Sequence, residues 1–299
     1  MTERDVVYRR DGAREWLAQI YAPEKPEVLD VSRSGGAAAG SRGRPLLIDV
    51  HGGAWSGGNR FAGQSVDRIL VERLGIVVVA IDFRLAPQDP YPAMMQDVNY
   101  TVRWVKAHAA ELGGDSSNVG VIGWSSGGHM AVLAALRPDD PRYAALPLDG
   151  SPATDARLDY VVACWPPLDP RARYRFARET GRADLVRNTE GCFGDEAGMY
   201  EASAERVVAS GEATGLPPIL IVQGTADGNI PLPMIESFVE MYLSAGGHAR
   251  LELYHGQAHG FIVRPGRGVD DSDAAQRGSA AILEFVGQHG AGRVQLAPH

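Results

Sequence analysis

Short apolar runs alternate with amphipathic stretches along most of the chain. An aliphatic run bounded by turn-forming residues predicts a buried strand, whereas apolar residues three and four positions apart predict a helix. On that basis the predicted strands are 46–50, 76–81, 119–123, 160–165, 219–224 and 251–254. The predicted helices are 64–74, 92–112, a stretch that ends near Leu136, 232–245 and 273–288.

A chain that alternates strands with helices builds a mostly parallel sheet, because right-handed crossovers return it to the same end of the sheet. Helices then cover both faces of that sheet. We therefore predict an α/β fold with a mostly parallel central sheet. Residues 4–10 and 15–21 predict two short edge strands around a turn at Asp11-Gly12.

Two segments interrupt the alternation. Residues 32–45 consist mostly of Ser, Gly, Ala and Arg without periodicity, which predicts a flexible connection. Residues 166–215 are too long for a plain connection between strands and contain short helical pieces at about 171–187 and 199–209. We expect them to form a lid or pocket insertion over the carboxyl edge of the sheet, where α/β proteins bind ligands. No repeat is visible, and residues 1–299 are expected to form one domain.

Composition and charge exclude several classes of protein. Hydrophobic residues make up 44% of the chain and charged residues 22%, which argues against a disordered chain, a coiled coil and a membrane protein. The net charge of −8 repels phosphate backbones, so no nucleic-acid partner is expected. No apolar run approaches the ~18 residues of a membrane span. The charged N-terminus leads into no apolar segment of the signal-peptide type, and we expect a cytoplasmic protein.

Neither a metal nor an organic cofactor is expected. The two cysteines, Cys164 and Cys192, are too few for a disulfide framework or a zinc knuckle. The histidines lack the spacing of metal ligands. The chain has two lysines, Lys25 and Lys106, and neither lies in a context that favours Schiff-base chemistry. Glycine accounts for 36 of the 299 residues, a share well above the usual value of about 7%. We therefore expect many of these glycines in tight turns.

Residues 123–127 (GWSSG) lie between a predicted strand and a predicted helix and match the nucleophile-elbow pattern. A sharp strand-to-helix turn strains the backbone of the middle residue and leaves no room for side chains two positions away, hence Gly123 and Gly127. The helix that follows directs its first amides at an oxyanion. The pattern predicts Ser125 as a nucleophile, with a chance match of a glycine-rich turn as the alternative.

Residues 51–55 (HGGAW) also follow a predicted strand and resemble the HGGG-type oxyanion loop of lipases and esterases. Missing side chains let backbone amides approach a substrate carbonyl oxygen. Gly53 and Ala54 would supply two hydrogen-bond donors and Ser126 a third. A dinucleotide-binding loop is the alternative, but no register of residues 52–58 gives G-x-G-x-x-G.

A nucleophilic serine needs a base and a group that orients the base. In the hydrolase order Ser…Asp…His, the acid follows a late strand and the histidine follows the next one. Asp227 and His259 occupy those positions. His255 is the competing base, but His259 lies farther along the loop and reaches back over the sheet more easily. For Asp227 the alternative role is that of a turn-forming residue before glycine.

Together these features resemble the α/β-hydrolase superfamily over about residues 46–288. Within it, the sequence looks like the esterase and lipase group that includes hormone-sensitive-lipase-like enzymes, feruloyl-esterase-like proteins and kynurenine formamidases. Residues 82–87 (DFRLAP) are similar to the D-Y-R-L-A-P signature of that group, with Phe83 in place of the tyrosine. Ala54 occupies the position of the third loop glycine of that group. We expect its methyl group to reduce the space beside the oxyanion loop and so to disfavour bulky esters.

The resemblance implies an α/β-hydrolase fold and a serine carboxylesterase that cleaves small to medium acyl esters through an acyl-enzyme on Ser125. His259 would accept the serine proton and Asp227 would hold the imidazole tautomer. One alternative is an arylformamidase that uses the same triad on an amide of the N-formylkynurenine type. Another is a non-catalytic ligand-binding protein, against which the complete triad argues. The expected partner is a small ester or formamide, and the oligomeric state stays open, with a homodimer among the options.

Three tryptophans adjoin loops that face the predicted site. Trp55, Trp124 and Trp165 are therefore candidate substrate-binding walls, although aromatic residues near strand ends are as often core residues. His129, in the helix behind the elbow, and His51, at the start of the oxyanion loop, are expected to be structural.

Overall fold

The structure of the protein is a computed structural model. It describes residues 1–24, 43–151, 153–264, 268–270 and 272–290. Of the predicted flexible connection at 32–45, residues 32–42 lie outside the described part of the chain, and Arg44 already begins a strand.

Within the described residues, eight strands form one sheet in the order β1-β2-β4-β3-β5-β6-β7-β8. The strands are β1 (Thr2–Asp11), β2 (Arg14–Ala22), β3 (Arg44–Val50), β4 (Val77–Ile81), β5 (Gly114–Trp124), β6 (Tyr160–Cys164), β7 (Ile219–Gly224) and β8 (Ala249–Tyr254). Strands β3 to β8 run parallel, while β1 and β2 form an antiparallel hairpin that joins β4. A separate antiparallel pair consists of β9 (Val263–Arg264) and β10 (Gly268–Val269).

Helices cover both faces of the sheet. They are α1 (Gln64–Leu74), α2 (Ala93–Ala107), α3 (Ala109–Leu112), α4 (Ser126–Leu136), α5 (Pro170–Glu179), α6 (Ala183–Phe193), α7 (Glu196–Glu201), α8 (Ala204–Ala209), α9 (Leu232–Ser244) and α10 (Asp273–His289). Alternate side chains of the strands divide the core into two layers, as on β3, where Ile48 packs with α2 and α4 while Leu47 packs with α1 and α10. The predicted α/β fold with a mostly parallel sheet is confirmed.

Two predictions about strand burial need correction. β8 is not a buried strand: it lies last in the sheet, pairs on one side only, and leaves Leu253 44% exposed. β2 is not an edge strand, because it lies between β1 and β4 and hydrogen-bonds to both. Both patterns are ambiguous in the sequence, since an apolar run does not specify how many neighbours its strand has.

The parallel strands bring four functional loops to one edge of the sheet. β3 and β5 are neighbours with Val50 opposite Gly123, so the loops that follow them start side by side. β7 and β8 are likewise neighbours, with Gly224 opposite Tyr254. The carboxyl ends of parallel strands all meet at the same edge, which is where open α/β sheets bind ligands.

Candidate active site

Ser125 lies on the sharp turn between β5 and α4. Its backbone has φ 51° and ψ −117°, a conformation that non-glycine residues rarely adopt. A Cβ at Gly123 would overlap the carbonyl of Gly127, and a Cβ at Gly127 would overlap the carbonyl oxygen of Val50. Glycine at these two positions is therefore required by the close approach of β3, β5 and α4.

The side chain of Ser125 belongs to a chain of hydrogen bonds with His259 and Asp227. His259 Nε2 lies 2.9 Å from Ser125 Oγ, and His259 Nδ1 lies 2.8 Å from Asp227 Oδ2. Because the carboxylate can only accept, Nδ1–H donates to Asp227 and Nε2 is left to accept the serine hydroxyl proton. The competing histidine, His255, is exposed on the same loop. The structure thus brings His259, rather than His255, to the serine.

Asp227 is held rigidly at the end of β7. Its Oδ1 accepts hydrogen bonds from the amides of Asn229 at 2.8 Å and Ile230 at 2.9 Å. Its Oδ2 accepts from Gln223 Nε2 at 3.2 Å in addition to His259. The side chain is buried, so these donors replace water around the carboxylate and fix its orientation toward the imidazole.

The loop after β3 has an unusual backbone. Gly53, Ala54 and Trp55 have φ values of 124°, 52° and 61° in succession. A Cβ at Gly53 would overlap the carbonyl of Gly57, and the loop is tied down by a hydrogen bond from Ala86 N to Trp55 O at 2.9 Å. Within the loop, the amide of Ser56 donates to the carbonyl oxygen of Gly53 at 3.1 Å, which holds the turn together.

Three amides at this edge are free to bind an oxygen atom. Among the described residues, the backbone N–H groups of Gly53, Ala54 and Ser126 have no hydrogen-bond partner. Ser126 is also the first residue of α4, where the helix dipole favours negative charge. The arrangement offers a nucleophile, a base and donors for a developing oxyanion, which is what acyl transfer requires.

The structure separates the three candidate tryptophans. The ring centroid of Trp165 is 6.0 Å from that of His259, so this residue lies beside the triad. Trp55 is buried, with its ring centroid 4.9 Å from that of Phe193. Phe193 belongs to α6, one of the four helices of residues 166–215, α5 to α8, which are called the covering helices below. Side chains alternate along β5 and turn Trp124 toward the core layer of α1, where its Nε1 donates to Asp49 and its ring centroid lies 5.7 Å from that of Trp165.

His129 supports the oxyanion loop from behind the elbow. Its Nε2 donates to the carbonyl of Ala202 at 2.7 Å, which leaves Nδ1 to accept a hydrogen bond from Trp55 Nε1 at 3.3 Å. Burial lowers the pKa of His129 to about 4, so the ring is neutral in the folded protein. The contacts agree with the structural role expected for this histidine. His51, which stacks on Phe83 with ring centroids 4.1 Å apart, has a comparable supporting position.

A pair of carboxyl groups lies in the core behind the oxyanion loop. Asp49 of β3 and Asp67 of α1 are both buried, close enough for the charge of one to act on the other. Trp124 Nε1 donates to Asp49 Oδ1 at 2.8 Å, whereas neither carboxyl oxygen of Asp67 has a hydrogen-bond partner among the described residues. Burial raises the pKa of Asp49 to about 7, and burial together with the neighbouring Asp49 raises the pKa of Asp67. This pair could not be predicted from the sequence, because a contact between side chains of β3 and α1 leaves no local pattern in it.

The covering helices contribute further residues that the sequence analysis missed. Arg173 and Phe193, both from the 166–215 segment, contact Trp55. The one available signal is the helical spacing of α5, in which Arg173 shares a buried face with Tyr174 and Ala177. That spacing does not show what the buried arginine faces.

Neither a metal site nor a membrane helix is found in the described ranges. The described residues contain no group of three or more His, Cys, Asp and Glu side chains that could hold a metal ion. Of the helices described, none is long and apolar enough to cross a bilayer.

Comparison with known proteins gives consistent matches. The family model BD-FAE matches residues 36–242. The chain is 31% identical to Esterase LipC of Mycobacterium tuberculosis over 288 residues, which cover 93% of this chain and 66% of LipC. It is 44% identical to Carboxylesterase NlhH of the same species over 138 residues, covering 46% of this chain and 38% of NlhH. The chain thus spans less than two thirds of the length of these relatives.

Among solved structures, the chain resembles a thermophilic esterase. The propionate-bound structure of Est2 from the planctomycete Thermogutta terrifontis superposes with a TM-score of 0.73 at 25% sequence identity. The superposition covers 99% of this chain and 96% of Est2.

Proposed function

Because the chain belongs to the BD-FAE family, within the esterase and lipase group of the α/β-hydrolases, we propose that it is a serine carboxylesterase acting on small to medium acyl esters. The observation that carries this proposal is the hydrogen-bonded chain Ser125–His259–Asp227, next to three unpartnered amides. The hydrogen-bonded chain supplies an activated nucleophile. The amides supply hydrogen-bond donors for the negative charge that forms on the substrate carbonyl oxygen when the nucleophile attacks.

The reaction follows from this geometry. Ser125 Oγ attacks the ester carbonyl carbon while its proton passes to His259 Nε2, and the carbonyl electron pair moves onto the oxygen. The amides of Gly53, Ala54 and Ser126 stabilise that oxyanion. When the tetrahedral intermediate collapses, the carbon–oxygen bond to the alcohol breaks and His259 gives its proton to the leaving alkoxide.

Deacylation repeats the sequence with water. His259 takes a proton from a water molecule, whose oxygen attacks the acyl carbon, and then returns that proton to Ser125 Oγ as the acid departs. Asp227 stabilises the imidazolium in both halves. Its two backbone donors and Gln223 support this role, because they hold the carboxylate in one orientation.

The surroundings of the triad support a small to medium acyl group. Trp165 lies beside His259, so one large aromatic ring borders the triad, and Phe193 of α6 packs on Trp55, the residue that follows Ala54. We propose that residues 166–215 act as the pocket insertion of a single α/β-hydrolase domain. The methyl group of Ala54 leaves its amide in place while adding bulk beside the oxyanion site.

A direct rate comparison tests ester hydrolysis against formamide hydrolysis. We expect kcat/KM for p-nitrophenyl acetate to exceed that for N-formylkynurenine, since the named relatives are esterases. A strong preference for N-formylkynurenine would replace the esterase proposal with the arylformamidase alternative. Turnover of neither compound, nor of longer acyl esters, would favour the non-catalytic alternative.

A further inference from the structure

A buried cation lies beside the proposed active site. Arg173 of α5 is 4% exposed, and its guanidinium carbon lies 5.1 Å from the centre of the Trp55 ring. Its Nη1 donates to Thr189 Oγ1 at 2.8 Å, while Nε has no hydrogen-bond partner. Most of the donors of this guanidinium are therefore unused in a position that water reaches poorly.

No carboxylate within the described residues forms an ion pair with Arg173. Another buried arginine, Arg137, behaves differently: it is 8% exposed and pairs with Asp140, Glu201 and Glu212. Burying a charge without a partner destabilises the folded state, because the charge loses its hydration and gains no compensating contact. Burial also lowers the pKa of Arg173 to about 10. The negative charge of Asp184, which is too far away for an ion pair, partly offsets this decrease in the pKa. An anion that binds there would remove this destabilisation.

Arg173 belongs to a segment that contacts both the oxyanion loop and the loop of Asp227. Trp55, on which the guanidinium lies, directly follows Ala54 of the oxyanion loop. The same segment also contacts the loop of Asp227, because Arg182 donates to Gly228 O at 3.1 Å and to Asn229 Oδ1 at 2.8 Å. A group bound by Arg173 would therefore belong to the same molecule that presents its ester to Ser125.

We propose that Arg173 binds a carboxylate carried by the ester substrate, so that the enzyme prefers anionic esters to neutral ones of the same size. The inference rests on the proposed esterase function and specifies its substrate class. The planar fork of arginine matches a carboxylate through two parallel hydrogen bonds. The neighbouring cation, Arg182, has partners of its own, namely Gly228 O, Asn229 Oδ1 and Asp184, so the proposal assigns the substrate carboxylate to Arg173 and not to Arg182.

Two matched substrate pairs test the preference in the wild-type enzyme. The first places the charge on the acyl side and compares the mono-p-nitrophenyl ester of adipic acid with p-nitrophenyl hexanoate. The second places it on the alcohol side and compares 4-acetoxybenzoate with 4-acetoxybenzamide. We expect kcat/KM for the anionic member to exceed that for its neutral partner in one of the two pairs, which also identifies the side that Arg173 faces.

Three variants connect the preference to Arg173. In Arg173→Met, which keeps the length and removes the charge, the anionic-to-neutral ratio of kcat/KM should fall about 10- to 100-fold, as expected for hydrogen bonds to a charged group. Arg173→Lys should recover part of the ratio. The control, Arg178→Met, changes an exposed arginine of the same helix and should leave the ratio as in the wild type.

The outcomes separate this inference from the proposed function. Hydrolysis of the neutral esters with no preference for either anionic one overturns the carboxylate site and leaves the esterase intact. If the wild type prefers an anionic ester and Arg173→Met keeps the same anionic-to-neutral ratio of kcat/KM, the carboxylate site is also overturned. In that case Arg173 has only a structural role. If wild type hydrolyses none of the four esters, the proposed function fails and the carboxylate site fails with it.

Discussion

The loops at the carboxyl edge of the sheet and the helices that cover them position their groups in different ways. In the loops, the backbone itself makes the site: Gly53, Ala54 and Ser125 have positive φ values, and neighbouring carbonyls leave no room for a Cβ at Gly53 or Gly127. The covering helices α5 to α8 contribute long side chains instead: Phe193 and Arg173 both contact Trp55.

This difference separates chemistry from selectivity. Under the proposed function, amides held by a constrained backbone would present the same oxyanion donors whatever ester is bound, so we assign the reaction type to the loops. Side chains delivered by helices can change from one family member to another without disturbing the elbow. We therefore expect substitutions in the loops to abolish turnover and substitutions in the covering helices to alter preference or stability.

The largest effect is expected at the catalytic base. His259→Ala removes the acceptor of the serine proton and should lower kcat for p-nitrophenyl acetate by about 10⁴- to 10⁶-fold. The matched change His255→Ala, at an exposed position of the same loop, should retain most of the activity. Steady-state kinetics of the two purified variants decide the point, and the reverse result would assign the base to His255.

The next effect concerns the oxyanion loop. Gly53→Ala places a Cβ against the carbonyl of Gly57 and must shift the loop amides, so kcat should fall about 10²- to 10³-fold. At Gly57 in the same loop an added Cβ meets its nearest atom at 3.8 Å, and Gly57→Ala should stay near wild type. Equal losses in both variants would show that the loop does not act through its backbone geometry.

A smaller effect is expected from the carboxyl pair behind that loop. Burial raises the pKa of Asp49 above its usual value near 4, so the folded state holds more protons than the unfolded state up to about pH 7. The stability contributed by the protonated pair is complete below pH ~4 and is lost as pH rises to about 7.

Asp67→Asn keeps the size of the side chain, places a neutral amide beside Asp49 and removes one of the two ionisations. Its Tm at pH 8 should exceed that of wild type by roughly 4 °C, and the difference should shrink at pH 5. Calorimetry of both proteins across this range measures it. A variant with a lower Tm at both pH values would contradict the destabilisation expected from two ionised carboxyl groups buried side by side.

The smallest effect concerns the covering helices. Asp169 caps α5 by accepting hydrogen bonds from the amides of Arg171 and Ala172 at 2.9 and 3.1 Å. Asp169→Ala should lower Tm by about 2–3 °C, with kcat for p-nitrophenyl acetate within about twofold of wild type. Glu179→Ala, at the exposed end of the same helix, is the control. A loss of kcat beyond tenfold would mean that α5 participates in the chemistry.

The same contrast explains what could be predicted from the sequence. Residues 123–127 and 51–55 were predictable because each turn demands glycine within a few residues of the functional group. The loops of Asp227 and His259 were predictable because parallel strands end at one edge. The roles of these residues in catalysis, and the extent of the domain, stay predictions.

Other features depend on contacts between distant segments and could not be predicted. Trp124 faces Asp49 because of where β3 and β5 lie in the sheet, which its neighbours in sequence do not specify. The exposure of β8 depends on its place at the edge of the sheet. Arg173 becomes significant only once α5 has packed beside Trp55.

The central claim is that Ser125 is the nucleophile of an acyl-transfer triad. The most direct measurement is covalent labelling with a fluorophosphonate followed by mass-spectrometric peptide mapping. We predict one modification per chain, on Ser125, and a strongly reduced labelling rate in His259→Ala, where the base is missing. Labelling at another residue, or no labelling of the folded wild-type protein, would contradict the account.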